Sequence, residues 1–431
     1  MTSNKETPEA LTIQLVKSAD RGNYCVVYDL KDGNEWKRFN LPGKLDRDWT
    51  EIFRLMSQKC PANLVKSIFL NLPDVVPDLQ LHPWLAAVRS HGQKFGFSNF
   101  HWTTISMLGF TAQLLLAKNK GKKYSIGDYV VVSSTDFAAH LLRKQAVGWD
   151  VLDGKVAELQ IGTSLDVEGF VRRNNLTMND VKNFIIQAVD GPIGGMLREF
   201  ILKAYPRKKV IFDGADPDDL TSDRLEPPGE YLAKVYAGEE YFNDYDCFLG
   251  NICIGNLYLQ CGSSRLLLPI QFKRVPFSYK KKIKFTRCDK IEILGSMDSI
   301  TSYNDTDVMK IYQSTVNLKD EIGILTVAFD EDQWNYFKLE KDDEKKTLIS
   351  RSTTSNEWKD DRPTLIFGKD HVSVDYFKAG LLWKLKDING NKNIPFKISF
   401  DEEVYIGAAA DEHPEYLMPD IDLEALSTNA F

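Results

Sequence analysis

The sequence has no apolar run long enough to cross a membrane as a helix. A spanning helix needs about 20 predominantly apolar residues, whereas the longest apolar stretch, Ile105 to Ala117, is interrupted by three polar residues. The first nine residues are polar and include two glutamates, so they match neither a secretory nor a mitochondrial leader. We therefore expect a cytoplasmic or nuclear protein with no membrane partner.

Cysteine and histidine are scarce, with six of each among 431 residues. No cysteines form a CxxC pair, and no histidines have the HExxH or paired spacing of zinc ligands. The sequence therefore predicts no metal site. In a reducing compartment, all six cysteines are expected to be free thiols.

Excess positive charge is also lacking, since Lys and Arg total 54 against 61 Asp and Glu, a net charge of −7. A chain whose main function is nucleic-acid binding needs a net basic face, so we do not expect a nucleic-acid partner. The one basic cluster, Tyr279 to Lys284, could contact RNA or an acidic protein. Lysines that protect an edge strand against aggregation are the simpler explanation.

The common enzyme fingerprints GxSxG, GxxxxGK[ST] and GxGxxG do not occur, so the hydrolase, P-loop and dinucleotide-binding classes lack their motifs. Neighbouring acids such as Asp330 and Asp332 are typical of solvated turns rather than of a glycosidase pair. His140 lies in a predicted strand, where a core or surface imidazole is the expected role. No catalytic residue is predicted from these patterns.

What the sequence does contain is an ordered change of pattern, without an internal repeat. The first half alternates strands and helices, and a helix with Trp49, Ile52, Phe53 and Met56 on one face is predicted after Asp48. A cap signature at Thr177–Asp180 predicts another helix. Beyond about residue 246, short strands with turn signals every 8–12 residues predict a β-sandwich or a barrel. The expected domains are residues 1–245, 246–345 and 346–431, the last with an acidic tail.

Five stretches follow the order of segments in a known family. They are Leu11–Gly33, Val65–Phe97, Ile105–Asp136, Leu176–Gly191 and Ile254–Phe285. In this order the chain resembles the DnaK-like 70-kDa heat-shock chaperones, as a divergent and shortened member. The resemblance implies an actin-like (ribonuclease H-like) α/β ATPase domain followed by a peptide-binding β-sandwich. The family's helical lid and acidic terminal tetrapeptide are not evident in this sequence.

The resemblance implies ATP or ADP with Mg²⁺ as the ligand, held by turns whose backbone N–H groups cradle phosphates. The first turn is expected at Gln14–Ser18, without Asp or Gly; the second at Val132–Asp136, where hydroxyls replace glycines; and the third at Val189–Gly195, where Pro192 is inserted. Candidate nucleotide-binding residues are Ser133, Ser134, Thr135, Asp190 and Gly191. Ordinary turns are the alternative, and ATP hydrolysis is left open.

The resemblance also implies that apolar side chains grip an extended polypeptide. Candidate lining residues are Ile252, Ile254, Leu257, Leu259, Leu266 and Leu268, and packing in the core explains the same residues equally well. The leading hypothesis is an ATP-regulated chaperone for unfolded or extended clients, working with co-chaperones in protein folding and the stress response. The alternative is a nucleotide-independent pseudo-ATPase adaptor that binds a defined protein partner.

Overall fold

The chain forms two compact units, residues 1–358 and residues 359–431, in a computed structural model. The structure describes residues 8–18, 22–42, 48–72, 81–133, 138–156, 167–186, 209–212, 228–253, 256–296, 308–330, 335–342, 347–351, 363–368, 371–378, 381–387, 389–395, 397–400 and 403–417. Within these residues, no helix has both the length and the apolar character needed to cross a bilayer.

The first half of the larger unit contains a five-stranded mixed sheet. In chain order its elements are β1 (Leu11–Ser18), β2 (Gly22–Asp29), β3 (Glu35–Asn40), α1 (Trp49–Lys59), a 3-10 turn (Ala62–Leu64), β4 (Val65–Leu72), α2 (Leu81–Lys94), β5 (Phe100–Thr104) and α3 (Ile105–Asn119). The strand order is β3-β2-β1-β4-β5, with antiparallel pairing on the β2 side of β1 and parallel pairing from β1 to β5. The predicted apolar face of α1 is buried against this sheet.

The second half repeats this topology. Its elements are β6 (Tyr129–Ser133), β7 (Ala138–Lys144), β8 (Trp149–Val156), α4 (Val167–Arg173), β9 (Val181–Ile186), β10 (Val210–Phe212) and α5 (Pro228–Ala237). The order β8-β7-β6-β9-β10 is antiparallel on the β7 side of β6 and parallel on the β9 side. Two mixed sheets of equal topology fit the actin-like fold predicted from the sequence.

The last helix of each half packs on the sheet of the other half. Helix α5 contacts β1 and β4, whereas α3 contacts β9 as well as β5. The ring of Tyr236 lies 5.4 Å from that of Phe69 and is stacked at 4.5 Å on His101. From α3, Gln113 Nε2 donates to the Ser133 carbonyl at 2.8 Å. The two halves are therefore joined by an exchange of helices.

The rest of the larger unit is one six-stranded antiparallel sheet in the order β12-β11-β13-β14-β15-β16. Its strands are β11 (Leu257–Cys261), β12 (Ser264–Leu268), β13 (Phe277–Ser296), β14 (Val308–Phe329), β15 (Asn335–Lys341) and β16 (Thr347–Arg351). Two long strands of 20 and 22 residues, β13 and β14, replace four short strands predicted from the sequence at Tyr279–Phe285, Lys290–Leu294, Val308–Gln313 and Ile322–Phe329. The polar residues near Cys288 indicated a turn, but they lie at a register shift in the pairing of β13 with β14. A bulge of this kind accommodates extra residues without ending the strand.

The predicted β-sandwich is not confirmed: the described strands of this unit beyond residue 256 form one six-stranded sheet. One hydrophobic core holds Leu11 of β1 and Phe53 of α1 together with Leu257 and Phe337 of the β-rich sheet. The expected domain limits after residues 245 and 345 therefore stay predictions.

The smaller unit is built from short strands. They are β17 (Thr364–Phe367), β18 (His371–Lys378), β19 (Leu381–Lys384), β20 (Ile394–Pro395), β21 (Ile398–Phe400) and β22 (Val404–Ile406), followed by 3-10 turns at Gly407–Glu412 and Pro414–Tyr416. Strands β17 to β20 form one antiparallel sheet, and β21 pairs with β22.

Two local predictions were wrong. The cap signature does not begin a helix: Asp180 Oδ2 accepts hydrogen bonds from the backbone N–H and the hydroxyl of Thr177, both at 2.7 Å, and β9 follows at once. An Asp-Thr pair of this kind closes a turn as well as it caps a helix, and the apolar run after it favours a strand.

The second wrong prediction concerns the thiols. Cys261 and Cys288 form a disulfide, whereas Cys25, Cys60, Cys247 and Cys253 are free and buried. Pairing of β11 with β13 brings the two Cα atoms to 5.7 Å, within the range that a disulfide requires. Spacing along the chain gave no indication of this contact.

Candidate functional site

The edge formed by the carboxyl ends of the parallel strands is the first place to look for a ligand, since open α/β sheets bind ligands there. Ser133 is the last residue of β6 and is almost fully buried. Its Oγ has no hydrogen-bond partner among the described residues, and its carbonyl accepts the Gln113 amide. Ser134, Thr135, Asp190 and Gly191 lie outside the described residues, so their predicted role is untested.

The predicted position of the first phosphate turn was wrong. Residues 14–18 belong to β1 and pair with β2, and the last pair of the ladder is Ser18 with Gly22. Residues 19–21, which include Asp20, lie outside the described residues, between Ser18 and Gly22. The expected position came from the resemblance, and the pairing of β1 with β2 contradicts it.

Gln14 itself is buried in the middle of β1. Its Oε1 accepts a 2.7 Å hydrogen bond from the Tyr28 hydroxyl. Gly229 of α5 lies directly above this pair, because a Cβ added at Gly229 would be 2.5 Å from the Tyr28 oxygen and 2.8 Å from Gln14 Oε1. This part of the sheet is filled by packing from the second half.

A cavity of about 540 Å³ lies at the C-terminal end of α3. Its lining residues are Leu114, Lys118, Gly121, Lys122, Lys123, Tyr124, Lys144, Trp149, Asp246 and Cys247. The volume is within the range of ligand-binding pockets, about 300–1,000 Å³. Four of the ten lining residues are lysines, so the cavity is strongly cationic.

The end of α3 explains how two of these lysines reach the cavity. Gly121 has a φ of +72°, its N–H donates to the Lys118 carbonyl at 2.9 Å, and the Lys122 N–H donates to the Ala117 carbonyl at 3.0 Å. This is a Schellman cap, in which glycine takes the left-handed position and the last carbonyls of the helix are satisfied. The chain leaves the cap with Lys122 and Lys123 exposed beside the cavity.

The other two lysines are held by aspartates that follow α5. Lys118 Nζ forms an ion pair with Asp244. Lys144 is buried at the end of β7, where its Nζ donates to Asp246 Oδ1 at 3.0 Å and to the Asp246 carbonyl at 3.2 Å. Both lysines are thus fixed in place and partly neutralised.

The apolar wall of the cavity is the indole of Trp149. Its Nε1 donates to the Asp246 carbonyl at 2.6 Å, and the Tyr124 ring meets it edge-on at 5.1 Å. The Tyr124 hydroxyl donates to Asn183 Oδ1 at 3.0 Å, and burial raises the pKa of this phenol. The wall is therefore held by hydrogen bonds to Asp246, which follows α5, and to Asn183 of β9.

Cys247 lines the same cavity without being a candidate nucleophile. Burial raises the pKa of its thiol to about 12, and the nearby lysines only partly oppose this. Because the thiolate is the reactive form, the thiol is unreactive at neutral pH. Among the described residues, no three His, Cys, Asp or Glu side chains come close enough to hold a metal ion together.

His140 is a core residue, one of the two roles expected for it. The imidazole lies 4.7 Å from the Phe110 ring and 6.1 Å from the Phe272 ring, and burial lowers its pKa to about 3. A neutral imidazole enclosed by apolar side chains has no access to a substrate.

The predicted peptide-lining residues are mostly in the core. Four of them are nearly inaccessible to solvent: Ile252, Leu257, Leu259 and Leu268. Leu266 is partly buried against the same core, and Ile254 lies outside the described residues. The packing explanation accounts for the four buried side chains, and peptide binding by this set stays a prediction.

Sequence reasoning missed the lysine-lined cavity. The available signal was four lysines within Lys118–Lys123, directly after an apolar helix. A run of this kind is usually a solvated surface. Only the tertiary structure shows that Lys144 and Asp246, distant in sequence, complete an enclosed space beside it.

Comparison with known proteins identifies no family, since no family model and no curated protein matches the chain. Solved structures give remote likenesses. The inorganic polyphosphate/ATP-glucomannokinase from Arthrobacter sp. strain KM is 11% identical, with 52% of this chain and 98% of that chain covered and a TM-score of 0.24. MreB5 of Spiroplasma citri bound to ADP is 12% identical, with 40% and 60% covered and a TM-score of 0.19. Likenesses this weak carry no information on the function of this chain, and the DnaK-like resemblance stays a prediction.

Proposed function

We propose that this chain is a nucleotide-independent protein-interaction scaffold, a pseudo-ATPase adaptor built on an actin-like fold. The observation that carries the proposal is the single hydrophobic core shared by the first α/β sheet and the β-rich sheet. Regulation by a nucleotide requires two arrangements that the ligand binds with different affinity. Separating the β-rich sheet from the first α/β half would expose this core, which opposes a second arrangement of these two parts.

The segment between α5 and β11 supports the same conclusion. Its Asp244 and Asp246 pair with Lys118 and Lys144. Arg274, between β12 and β13, adds a further ion pair, with its Nε 2.6 Å from Asp150 Oδ1 of β8. These contacts hold the chain after α5 against α3 and against the second half, as expected of a rigid scaffold.

The partner class we propose is an extended polypeptide segment. Strand β12 is the last strand on its side of the described sheet, and Leu267 within it is 52% exposed. An edge strand offers backbone N–H and C=O groups that an added strand can pair with. The exposed Leu267 offers an apolar contact beside that pairing.

The test is thermal unfolding of the full chain with and without millimolar Mg-ATP or Mg-ADP. An adaptor of the proposed kind shows no shift, whereas a ligand at 100 times its Kd would add about 2.7 kcal/mol. The same measurement on the Lys122→Ala/Lys123→Ala variant shows which site causes any shift in unfolding temperature. A shift that is lost in this variant comes from nucleotide bound in the lysine-lined cavity. A shift that persists in it would contradict the proposal.

The second candidate is the ATP-regulated chaperone, favoured by the sequence that joins β1 to β2. Asp20 lies in the sequence between the paired residues Ser18 and Gly22, and Asp and Gly are residue types that a phosphate-binding turn uses. The discriminating assay is aggregation of a denatured client at stoichiometric amounts of this protein. Suppression that changes with ATP would establish the chaperone and exclude the adaptor.

A further inference from the structure

We propose that the lysine-lined cavity at the end of α3 binds a small molecule carrying a phosphate or diphosphate group. This site is separate from the edge where the fold would place a nucleotide. Ser133, at the carboxyl end of β6, marks that edge, whereas the cavity adjoins Tyr124, which precedes the start of β6, and Trp149 at the start of β8.

Charge is the first argument. The cavity holds four lysines, and among the described residues Asp244 and Asp246 supply the carboxylates paired with them. Lys122 and Lys123 form no ion pair with any described carboxylate. Within the described part of the chain, two positive charges therefore lie unpaired beside a concave surface, which concentrates their field.

Backbone geometry is the second argument. The negative end of a helix dipole disfavours an anion, and α3 ends at this cavity. The Schellman cap removes much of that penalty, since Gly121 and Lys122 donate their N–H groups to the carbonyls of Lys118 and Ala117. These two carbonyls are thus already hydrogen-bonded, and the lysine side chains of the lining supply donors for an anion.

The construction of the cavity is the third argument. Lys144 is a buried cation, with a side chain only 6% exposed, and its two bonds to Asp246 leave one ammonium hydrogen. An ammonium group is a three-donor point charge and a common ligand of phosphate oxygens. Trp149 and Leu114 add apolar surface on which the rest of an organic phosphate can pack.

The experiment is calorimetric titration of the full chain with inorganic phosphate and with pyrophosphate, at constant ionic strength. We expect binding of both, tighter for pyrophosphate because it carries more charge. The Lys122→Ala/Lys123→Ala variant, altered only at exposed positions, is expected to bind about tenfold or more weakly.

The matched control is Lys280→Ala/Lys284→Ala, which removes the same charge from exposed positions on β13. It should bind pyrophosphate as the unaltered chain does. Equal weakening in both variants would show a general effect of net charge and would overturn the proposal. Absence of heat and of a thermal shift at millimolar pyrophosphate, in folded protein, would overturn it as well.

The two proposals fail separately. The scaffold is contradicted by an ATP effect that survives Lys122→Ala/Lys123→Ala, whereas the cavity is contradicted by unchanged pyrophosphate binding in that variant. Neither outcome decides the other.

Discussion

The Trp149 amide donates a 2.9 Å hydrogen bond to the carbonyl oxygen of Phe248, so the segment after α5 is fixed to the first residue of β8. Gly148 makes this approach possible. A Cβ at Gly148 would lie 2.1 Å from that same oxygen, and its φ of +67° is in the left-handed region. The contact between this segment and β8 therefore requires glycine at position 148.

Replacing Gly148 with alanine should destabilise the protein by about 2–5 kcal/mol, since the left-handed backbone and the clash both contribute. Thermal and urea unfolding measure the loss. Gly262→Ala is the matched control, because Gly262 also has a positive φ, +58°, but its Cβ would meet nothing within 4 Å. Equal losses in the two variants would show that contact with Phe248 does not matter.

Gly229→Ala should cost about 1–3 kcal/mol of stability, because the new methyl group overlaps the Tyr28 hydroxyl and Gln14. Removing that hydroxyl with Tyr28→Phe should recover part of the loss in the double variant, and a double-mutant cycle measures the coupling. Gly109→Ala in α3 is the control, since its Cβ meets nothing within 4 Å and alanine should stabilise the helix by about 1 kcal/mol. Additive effects of Gly229→Ala and Tyr28→Phe would contradict the packing described.

Stability should fall below about pH 6.5 because of two buried histidines. In the unfolded chain a histidine binds a proton below its ordinary pKa of about 6.5, whereas burial lowers the pKa of His101 and of His140 to about 3 in the folded protein. The unfolded state therefore binds more protons between these values, and stability present above pH 6.5 is lost as the pH falls towards 3.

The loss at pH 5 is about 2 kcal/mol for each of these histidines. His140→Leu removes one of them and keeps an apolar side chain of similar size, so it should reduce the difference in stability between pH 8 and pH 5 by that amount. Urea unfolding at the two pH values measures it. An unchanged pH dependence would mean that His140 is protonated in the folded protein.

The disulfide predicts a thiol count. Denatured, unreduced protein should have four reactive thiols and reduced protein six, as counted with a thiol reagent. Cys261→Ser should lower stability by about 2–4 kcal/mol under oxidising conditions, because the bond closes a loop that the unfolded chain otherwise leaves open. Under reducing conditions the unaltered protein should lose a similar amount. Six thiols without reductant would show that the bond does not form.

Periodicity in the sequence predicted those elements whose buried residues are local. The face of α1 with Trp49, Ile52 and Phe53 is one example, and all three are buried in the core. The strands β1 to β4, β6 and β7 were recognisable for the same reason, whereas β5 was not predicted. Alternation and helical spacing report which side of an element is apolar, and here that side is the buried one.

The duplicated topology could not be predicted in this way. Strands β1 and β6 share only an apolar strand pattern, LTIQLVKS against YVVVS, and such a pattern does not specify a neighbour. The long strand β13 was missed because a bulge near Cys288 and a turn have similar polar sequences. The cavity was missed since Lys122 and Asp246 are brought together only by tertiary packing.

The exchanged helices have a consequence for folding. Helix α5 is synthesised after both α/β sheets and packs on the first of them. A nascent chain that ends before Pro228 therefore leaves Phe69 and His101 without the Tyr236 ring against them. Neither half is complete alone, and the two must gain their stability in one cooperative step. A cut within the connection between β10 and α5 should therefore yield two fragments that need each other, rather than two independent domains.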